Sequence, residues 1–457
     1  MKYQTYTLTN FGNRGFLVRV SVVIHKRGLP KLQVLGLPVA EARKIVSTCN
    51  SALASYGLSM PAAKIYVTYD HPYKSFPTNH YALALFVCIY SYLYNIDLVT
   101  NTIFTGSLDI FGNVSNSNIC LPSEMDSINR IVGNFSSKNL MPLNNVSFYD
   151  IKCISQLHDL YKSKIRPSIP TSTAVKISSP ANIVDESLLD FMALVVAGKH
   201  SSLVTGPPGV GKTTLAHTCA SIENKNVFQL DTLTSVKNLM GSLSTGEAGL
   251  LNEAYGGYLL LDDFISTKPL VLDALRKYMD TFTLSYKAPE LSLCLPTYTT
   301  LLYTSNLCHC GYLGSGIKEC VCPPYKVYTY QQKLCGPTVD RVSVYLSLPS
   351  LHTNRLVTKD NFQACVCRAL ELQALRYKNL GFSNNGFLDY KICTQLFPKI
   401  NTQFKILRTL SSDTLSNRQL LNLFRVALTI SDLRGVDSVD EYSLKLALSY
   451  KVPSKLY

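Results

Sequence analysis

Alternating hydrophobic and polar positions predict several strands in the first part of the chain. Between residues 18 and 24, every second residue is a branched aliphatic, which is typical of a half-buried strand. A turn at 28–30 leads into a short apolar segment at 32–35, which we interpret as the return strand. Residues 65–69 predict a further strand, and the polar run 113–118 predicts a loop.

A different spacing of apolar residues predicts helices. Residues 40–56 carry them at helical intervals and stop before Gly57, a residue common just beyond a helix end. Residues 82–94 are almost all apolar but fall well short of the ~20 residues that span a bilayer, so we interpret them as a buried helix. The end of the chain is predicted to be helical, with segments at 361–377, 400–410, 416–433 and 439–450.

A change in composition separates these parts. Residues 162–181 are polar and rich in Pro, Ser and Thr, which is typical of a linker. Beyond it, 202–205 predicts a strand and a helix is expected from Thr213 onward. We therefore predict an N-terminal domain at 1–165, a linker at 166–182, an α/β core at 183–350 and a helical domain at 351–457.

Composition and charge narrow the classes of function. The 457 residues are 46% hydrophobic and 16% charged, as in a globular protein of more than one domain. The formal net charge of +14 indicates a polyanionic partner, nucleic acid before anionic membrane, although a generally basic surface is the alternative. The start of the chain lacks the apolar segment of a signal peptide. We expect a cytoplasmic protein without a membrane partner.

A glycine-rich segment at 206–213 has the pattern Gly-x4-Gly-Lys-Thr, which cradles phosphates between a strand and a helix. Its backbone N–H groups would wrap the phosphates at the helix N-terminus. Lys212 would reach the β- and γ-phosphates, and the Thr213 hydroxyl would bind Mg²⁺. The predicted ATP-binding residues are Gly206, Pro207, Pro208, Gly209, Val210, Gly211, Lys212, Thr213, Thr214 and Asp262.

An apolar run at 257–261 ends in two acids, Asp262 and Asp263. A strand that delivers a carboxylate at its carboxyl end is what the magnesium shell of a phosphate loop requires, so Asp262 is the predicted Mg²⁺-side acid. Asp263 stands where a carboxylate would activate the attacking water. The alternative is a buried strand that ends in two solvated acids.

Cysteines form one cluster with metal-ligand spacing. The chain has 14 cysteines, and without a secretory signal we expect reduced thiols rather than disulfides. Cys308, Cys310, Cys320 and Cys322 form a Cys-x-Cys-x9-Cys-x-Cys pattern, and four thiolates suit tetrahedral Zn²⁺. A reduced cysteine-rich loop without metal is the alternative.

Two alternating segments, 281–287 and 291–295, predict a hairpin around 288–290. Tyr286 and Lys287 at its tip would stack on a base and contact a phosphate. An ordinary surface hairpin is the alternative.

With these motifs in order, the flanking segments resemble the ComM (YifB) family of magnesium-chelatase-like AAA+ proteins. The resemblance is carried by collinear motifs that span nearly the whole chain: 28–38 (GLPKLQVLGLP), 104–112 (FTGSLDIFG), 306–312 (NLCHCGY), 334–341 (LCGPTVDR) and 415–433 (LSNRQLLNLFRVALTISDL).

The resemblance implies an α/β fold in three parts: an N-terminal α+β domain like ribosomal protein S5, a AAA+ P-loop motor with a parallel sheet, and a C-terminal helical lid. It implies a homo-hexameric helicase that migrates branched DNA during recombination of incoming strands. It also implies roles for three residues. Asn306 matches the sensor-1 residue that positions water, Arg341 the arginine finger that acts on a neighbouring subunit, and Arg418 the sensor-2 arginine of the lid.

The sequence departs from the family in three places. Asp263 stands where the family has Glu, and a carboxylate displaced by about an ångström can slow a reaction on the order of 10²-fold. The family's PFRxPHH segment is absent, and 228–246 is short. Residues 80–84 replace the family's FDLPIA segment without its acid.

Two other functions stay open. The first is a AAA+ ATPase that remodels proteins or inserts metal, as chelatase subunits do. The second is a nucleotide-gated scaffold that binds ATP but barely hydrolyses it, which the replacement at Asp263 and the short segment favour.

Overall fold

The computed structural model describes residues 1–27, 29–98, 101–115, 120–122, 125, 128–135, 146–162, 165, 167, 177, 186–316, 318–334, 336–348, 360–378, 380–411 and 414–453. The chain forms two compact units. The first is Met1–Ala174 with Ser242–Glu247 and Lys287–Ser292, and the second is the remainder. The predicted linker at 166–182 lies outside the described residues, apart from 167 and 177. The predicted division between core and lid stays a prediction, since both fall in the second unit.

The N-terminal part is built on a mixed sheet. Its strands are β1 (Lys2–Phe11), β2 (Arg14–His25), β3 (Lys31–Leu35), β4 (Lys64–Tyr69), β5 (Thr102–Thr105), β6 (Ser107–Leu108), β7 (Val114–Ser115), β8 (Arg130–Gly133) and β9 (Ser147–Asp150). Seven of them pair in the order β3-β4-β2-β1-β5-β8-β9, while β6 and β7 pair with each other. Its helices are α1 (Val39–Ser55), α2 (Tyr81–Tyr94) and α3 (Gln156–Tyr161).

The buried faces follow the predicted periodicities. Val18, Val20 and Val22 on β2 are fully buried, which confirms the strand and its alternation. Helix α2 is buried from Tyr81 to Ser91, which confirms the buried helix. Among the described residues, no helix is long and apolar enough to cross a membrane.

The pairing of β3 differs from the prediction. We expected a return strand beside β2, but β3 pairs in parallel with β4, and β4 is the antiparallel neighbour of β2. Parallel neighbours need a crossover, and α1 supplies it between β3 and β4. The predicted loop at 113–118 is also partly wrong, because Val114–Ser115 forms β7. Residues 116–118 lie outside the described part.

Nine further strands and eleven helices follow among the described residues. The strands are β10 (Ser202–Thr205), β11 (Val227–Gln229), β12 (Gly241–Ser242), β13 (Glu247–Ala248), β14 (Tyr258–Leu261), β15 (Thr283–Ala288), β16 (Leu291–Pro296), β17 (Thr300–Ser305) and β18 (Val344–Ser347). The helices are α4 (Glu186–Gly198), α5 (Lys212–Ile222), α6 (Val236–Met240), α7 (Leu250–Glu253), α8 (Pro269–Thr281), α9 (Pro324–Leu334), α10 (Asp360–Arg376), α11 (Tyr390–Leu396), α12 (Ile400–Leu410), α13 (Asn417–Arg434) and α14 (Glu441–Ser449).

Five of these strands form a wholly parallel sheet in the order β11-β14-β17-β10-β18. Strands β15 and β16 pair separately as the predicted hairpin. The predicted C-terminal helices are present as α10, α12, α13 and α14. The chain therefore has the predicted fold class: an N-terminal S5-like α+β domain, a P-loop α/β motor with a parallel sheet, and a C-terminal helical lid.

Helix α13 connects the C-terminal helices to the rest of the second unit. It is buried over most of its length, and Ser416 and Gln419 close its first turn with a capping box. It packs against α4 and α10 in one hydrophobic core that also includes strands of the parallel sheet. The sequence patterns did not predict α4, which packs next to the phosphate-loop helix α5.

Candidate nucleotide-binding site

The phosphate loop connects the carboxyl end of β10 to the start of α5. Gly209 and Gly211 have φ values of +80° and +89°, a backbone region that side chains strongly disfavour. At Gly206, an added Cβ would lie 2.8 Å from the carbonyl oxygen of Leu348. The glycines are thus required by the path of the loop. Of the other predicted residues, Pro207, Pro208 and Val210 lie in the turn that leads into α5, and Thr214 lies in the first turn of α5.

Lys212 is held at the mouth of this loop. Its Nζ donates to the carbonyl oxygens of Gly206 and Pro207 at 3.0 and 2.8 Å, and to Oδ1 of Asn306 at 3.0 Å. Asn306 is in reach because it follows β17, the parallel neighbour of β10. Burial lowers the pKa of Lys212, and the carboxylates of Asp262 and Asp263 oppose this shift. The structure thus brings together the predicted phosphate-side lysine and the predicted sensor.

Oxygen atoms that suit Mg²⁺ meet beside Lys212. The Thr213 hydroxyl donates to Oδ1 of Asp262 at 3.0 Å, and the Thr304 hydroxyl donates to the same atom. A hydroxyl and a carboxylate are hard oxygen ligands. Thr213 and Asp262 are therefore suited to Mg²⁺, the ion that neutralises nucleotide phosphates. Sequence reasoning missed Thr304. Its position at the end of a buried strand, two residues before Asn306, was the available signal.

Asp263 has an unusual backbone and a free acceptor atom. Its φ is +51°, and its N–H donates to the Thr304 hydroxyl at 3.0 Å. Oδ2 accepts a hydrogen bond from Ser266 at 2.6 Å. Oδ1 is buried and has no hydrogen-bond partner among the described residues. An unpartnered carboxylate oxygen next to the phosphate loop can accept a proton from water.

The four predicted cysteine ligands converge. The sulfur atoms of Cys308, Cys310, Cys320 and Cys322 all lie within 4.8 Å of one another, with three pairs at 3.4 to 3.6 Å. Tetrahedral Zn²⁺ with ~2.3 Å bonds needs sulfur atoms about 3.8 Å apart. The described cysteines are all free thiols. The cluster therefore has the donor atoms and the dimensions of a metal site.

This cysteine knuckle, residues 308–322, packs against the phosphate loop. An added Cβ at Gly311 would lie 3.0 Å from Cδ of Pro208 and 3.7 Å from Cγ of Asn306. Gly311 also has a φ of +83°, so a side chain there would strain both the knuckle and the loop. Cys308 follows Asn306 by two residues. A metal ion bound by the four sulfur atoms would therefore also restrain the segment that carries Asn306.

Three family models match consecutive parts of the chain. A model of subunit ChlI of Mg-chelatase matches residues 20–136. The model of magnesium chelatase, subunit ChlI, matches 220–356, and the model of the ChlI C-terminal part matches 358–451. Together they extend over most of the chain.

Relatives match over nearly the full length. An uncharacterised protein of Mycobacterium tuberculosis is 24% identical, over 93% of both chains. The uncharacterised protein YifB of Escherichia coli is 22% identical, over 96% of this chain and 95% of its own. Competence protein ComM of Haemophilus influenzae is 21% identical, over 99% and 97%. The chain belongs to the magnesium-chelatase-like ComM/YifB family.

Two arginines of this ComM/YifB-family chain share one acid. Arg341 donates to both carboxylate oxygens of Asp280, at 2.9 and 2.8 Å, and to the carbonyl oxygen of Pro337. Nε of Arg418 lies 3.2 Å from Oδ1 of Asp280, and its Nη1 lies 3.5 Å from Oδ2 of Asp340. Asp280, which sequence reasoning missed, thus orients both predicted arginines.

This arginine pair lies at the amino ends of the parallel strands, whereas the phosphate loop lies at their carboxyl ends. We call these two sides the amino edge, or arginine edge, and the carboxyl edge of the sheet. Arg341 precedes the amino end of β18, and its carbonyl accepts from Ser201, which precedes β10. The phosphate loop follows the carboxyl end of β10. Strand β10 has 4 residues, and a strand of that length extends for about 13 Å. Arg341 and Arg418 are therefore out of reach of a nucleotide bound to the same chain.

A cavity of about 920 Å³ opens at the arginine edge. Its basic lining residues are Lys199, Arg341, Lys405, Arg408, Arg418 and Arg425. Asp280 is the one acid among its described lining residues. The cavity is therefore suited to an anionic group, with Arg341 and Arg418 as its polar contacts.

The predicted nucleic-acid residues of the hairpin separate in the structure. Tyr286 is 7% exposed, and its hydroxyl is bonded to Asn252 and the carbonyl of Met240. The prediction that Tyr286 stacks on a base is wrong. Adjacent residues of a strand face opposite sides, so Lys287 is exposed while Tyr286 is buried. Lys287 keeps its predicted role only as a lone phosphate contact.

Proposed function

We propose that this AAA+ ATPase of the magnesium-chelatase-like type is an ATP-driven motor that acts on branched or single-stranded DNA as a homo-hexamer. One observation carries the ATPase part. Lys212, Thr213, Asp262, Asp263 and Asn306 meet at one edge of a parallel sheet, in the arrangement that phosphoryl transfer needs. Lys212 neutralises phosphate charge, and Thr213 with Asp262 would hold Mg²⁺.

Hydrolysis is favoured over a static nucleotide-binding scaffold by the state of Asp263. Its Oδ1 has no partner among the described residues, so no protein donor occupies the lone pairs that would accept the proton. Asn306 is close enough to orient that water, since it already contacts Lys212. The shorter side chain slows this step relative to a glutamate but leaves its chemistry intact.

The arrangement of the arginines supports a ring. Arg341 and Arg418 lie at the edge opposite their own phosphate loop, in a basic cavity of about 920 Å³. A triphosphate that they contact therefore belongs to a second copy of the chain. Arginine fingers supplied from a neighbouring chain accelerate hydrolysis by stabilising charge on the γ-phosphate. Each site is complete only between two copies.

Two observations support DNA as the substrate: the net charge of the chain and its similarity to a competence protein. The chain carries a formal net charge of +14, and polyanion binding follows from such an excess. A relative over nearly the full length is a competence protein. The family resemblance adds the migration of branched DNA. Protein remodelling is the competing function, and it predicts no salt-sensitive binding to DNA.

Zn²⁺ is the proposed occupant of the cysteine knuckle. Four sulfur atoms with no other ligand type favour Zn²⁺ over Mg²⁺ or Ca²⁺. The backbone N–H of Tyr312 lowers the pKa of Cys310 to about 6, whereas burial raises that of Cys308 to about 12. Metal binding would release the remaining thiol protons and fix the loop.

The test of the nucleotide site is Lys212→Ala. ATP affinity, measured by calorimetry, should fall at least about tenfold, because the loop carbonyls and phosphates lose their compensating ammonium. Lys277→Ala, an exposed lysine on α8, is the control and should leave the affinity unchanged. Equal ATP affinity in wild type and Lys212→Ala would sink the assignment.

A further inference from the structure

The end of the N-terminal sheet where the chain passes from β2 to β3 carries an unbalanced set of cations. Lys26 and Arg27 follow β2, Lys31 begins β3, and Lys64 begins β4. Lys26, Arg27 and Lys31 are exposed. No acidic residue occurs in 1–40 or in 57–69. We call Lys26, Arg27, Leu29, Lys31 and Lys64 the basic tip.

The strand register brings these charges together. Lys64 lies opposite His25 of β2 on one side and Lys31 of β3 on the other. Lys31 and Lys64 are therefore like charges on directly paired positions, which destabilise a sheet. No described acid forms an ion pair with Lys26, Arg27, Lys31 or Lys64. The fold thus holds like charges side by side without a counter-charge.

Edge protection does not explain this placement. Lysines are common on edge strands, where they discourage pairing with other chains, and β3 is an edge strand. Strands β4 and β2, however, are interior strands of the same sheet. Lys64 and His25 therefore protect no free edge. A polyanion that settles across the three strand ends would remove the repulsion.

An apolar side chain projects from the same tip. Leu29 is 84% exposed, and Pro30 beside it is exposed as well. An apolar residue framed by cations fits a partner with a charged backbone and apolar faces within it. Proteins that bind the minor groove or unstacked DNA insert Leu or Pro between bases in this way while Lys and Arg hold the phosphates.

We propose that the basic tip is a DNA-binding surface of the N-terminal domain, with Lys26, Arg27, Lys31 and Lys64 on phosphates and Leu29 against an unstacked base step. A branch point offers such a step without the free energy of unstacking a continuous duplex. This inference rests on the proposed action on DNA. It places the main DNA contact on the N-terminal domain, because the hairpin of β15 and β16 offers only Lys287.

The first experiment measures binding of the full chain to a labelled four-way junction between about 50 and about 200 mM salt. In Lys26→Ala/Arg27→Ala, the slope of log affinity against log salt should fall by about two for each engaged chain. The control is Arg43→Ala/Lys44→Ala, which removes the same charge from α1, a helix that begins beyond the other end of β3. Its slope should not change, and ATP hydrolysis without DNA should be the same in both variants.

The second variant is Leu29→Ala. It should leave the salt slope unchanged but lower affinity for the junction by about tenfold, the effect of burying one leucine. A 2-aminopurine base at the branch point reports unstacking by increased fluorescence. This increase should occur with wild type and be lost with Leu29→Ala.

The outcomes separate the inference from the proposed function. Wild-type protein that fails to bind the junction at low salt would overturn both. If the tip pair and the control pair of substitutions reduce junction binding equally, or if neither pair reduces it, the inference alone is overturned. A third arm uses phosphatidylcholine vesicles with phosphatidylserine. If the tip variants lose vesicle binding but keep junction binding, the tip is a membrane surface and the inference is wrong.

Discussion

At the scale of single residues, Asp263 is the proposed acceptor of the proton from the attacking water. Its Oδ1 is the acceptor without a partner among the described residues, while Oδ2 is engaged by Ser266. Its left-handed backbone is fixed by an N–H bond to Thr304. The carboxylate is thus oriented, but it is one methylene shorter than the glutamate of the family.

We predict opposite effects for two replacements. Asp263→Asn should bind ATP normally and lose hydrolysis by about 10²-fold or more, because it removes the proton acceptor. Asp263→Glu should increase hydrolysis, up to about 10²-fold, if the missing methylene limits the rate. Steady-state phosphate release decides. If Asp263→Asn keeps the wild-type rate, Asp263 is not the base.

A second residue-scale feature is a buried ion pair inside the second unit. Lys199 pairs with Glu223, and Tyr258 bonds to both. The two charged side chains are only 9% and 4% exposed. Burial lowers the pKa of Lys199, and Glu223 opposes that shift. The pair links the start of β10, the end of α5 and the start of β14.

Glu223→Gln should destabilise the fold by about 3 kcal/mol, because it leaves a buried ammonium without its counter-charge. The control is Glu441→Gln on α14, whose pair with Lys445 is about 60% exposed. That change should cost no more than about 0.5 kcal/mol. Urea unfolding measures both. Equal losses would mean that the buried pair contributes no more than a surface pair.

At the scale of elements, the sequence predicted the loops and helices that depend on residues close together in the chain. The glycine pattern required a particular loop path, the continuous apolar run marked α2, and helical spacing marked the C-terminal helices. The partner of β3 could not be predicted, because alternation marks a strand but does not choose its neighbour. The burial of Tyr286 was readable in principle, since Leu284 and Tyr286 share one face of β15. Asp280 had no sequence signal, because its role depends on a distant helix meeting it.

The cysteine knuckle is the element whose effect should reach the nucleotide site. Cys320→Ser should release bound Zn²⁺, counted by metal analysis, and lower the melting temperature. Since the knuckle packs on Pro208 and positions Asn306, hydrolysis should fall more than ATP affinity. Cys294→Ser, at an exposed cysteine on β16, is the control. Wild-type protein purified under reducing conditions without zinc would contradict the metal assignment.

At the scale of the whole molecule, the two halves of the catalytic set lie at opposite edges of one sheet. The phosphate loop is at the carboxyl edge, and Arg341 and Arg418 are at the amino edge. In the proposed mechanism, a second copy of the chain therefore completes each site. Closed rings of identical subunits present one edge to the other around the circle.

Mixing two inactive variants tests this arrangement. Arg341→Ala should bind ATP and lose hydrolysis by on the order of 10³-fold, and Lys212→Ala should bind ATP at least about tenfold more weakly than wild type. Mixed rings contain interfaces where an intact phosphate loop faces an intact arginine edge, so part of the activity should return. No recovery, with a monomeric mass by light scattering, would contradict shared sites.

The most direct test of the central claim is ATP-dependent conversion of a mobile four-way DNA junction by the full-length protein. We predict that wild type converts the junction with ATP and Mg²⁺ but not with ADP, and that Lys212→Ala converts none. Conversion should also fail with Arg341→Ala, which still binds nucleotide. Wild-type protein that binds the junction and hydrolyses ATP, yet leaves the junction unconverted, would contradict a DNA motor and favour an ATPase that remodels proteins.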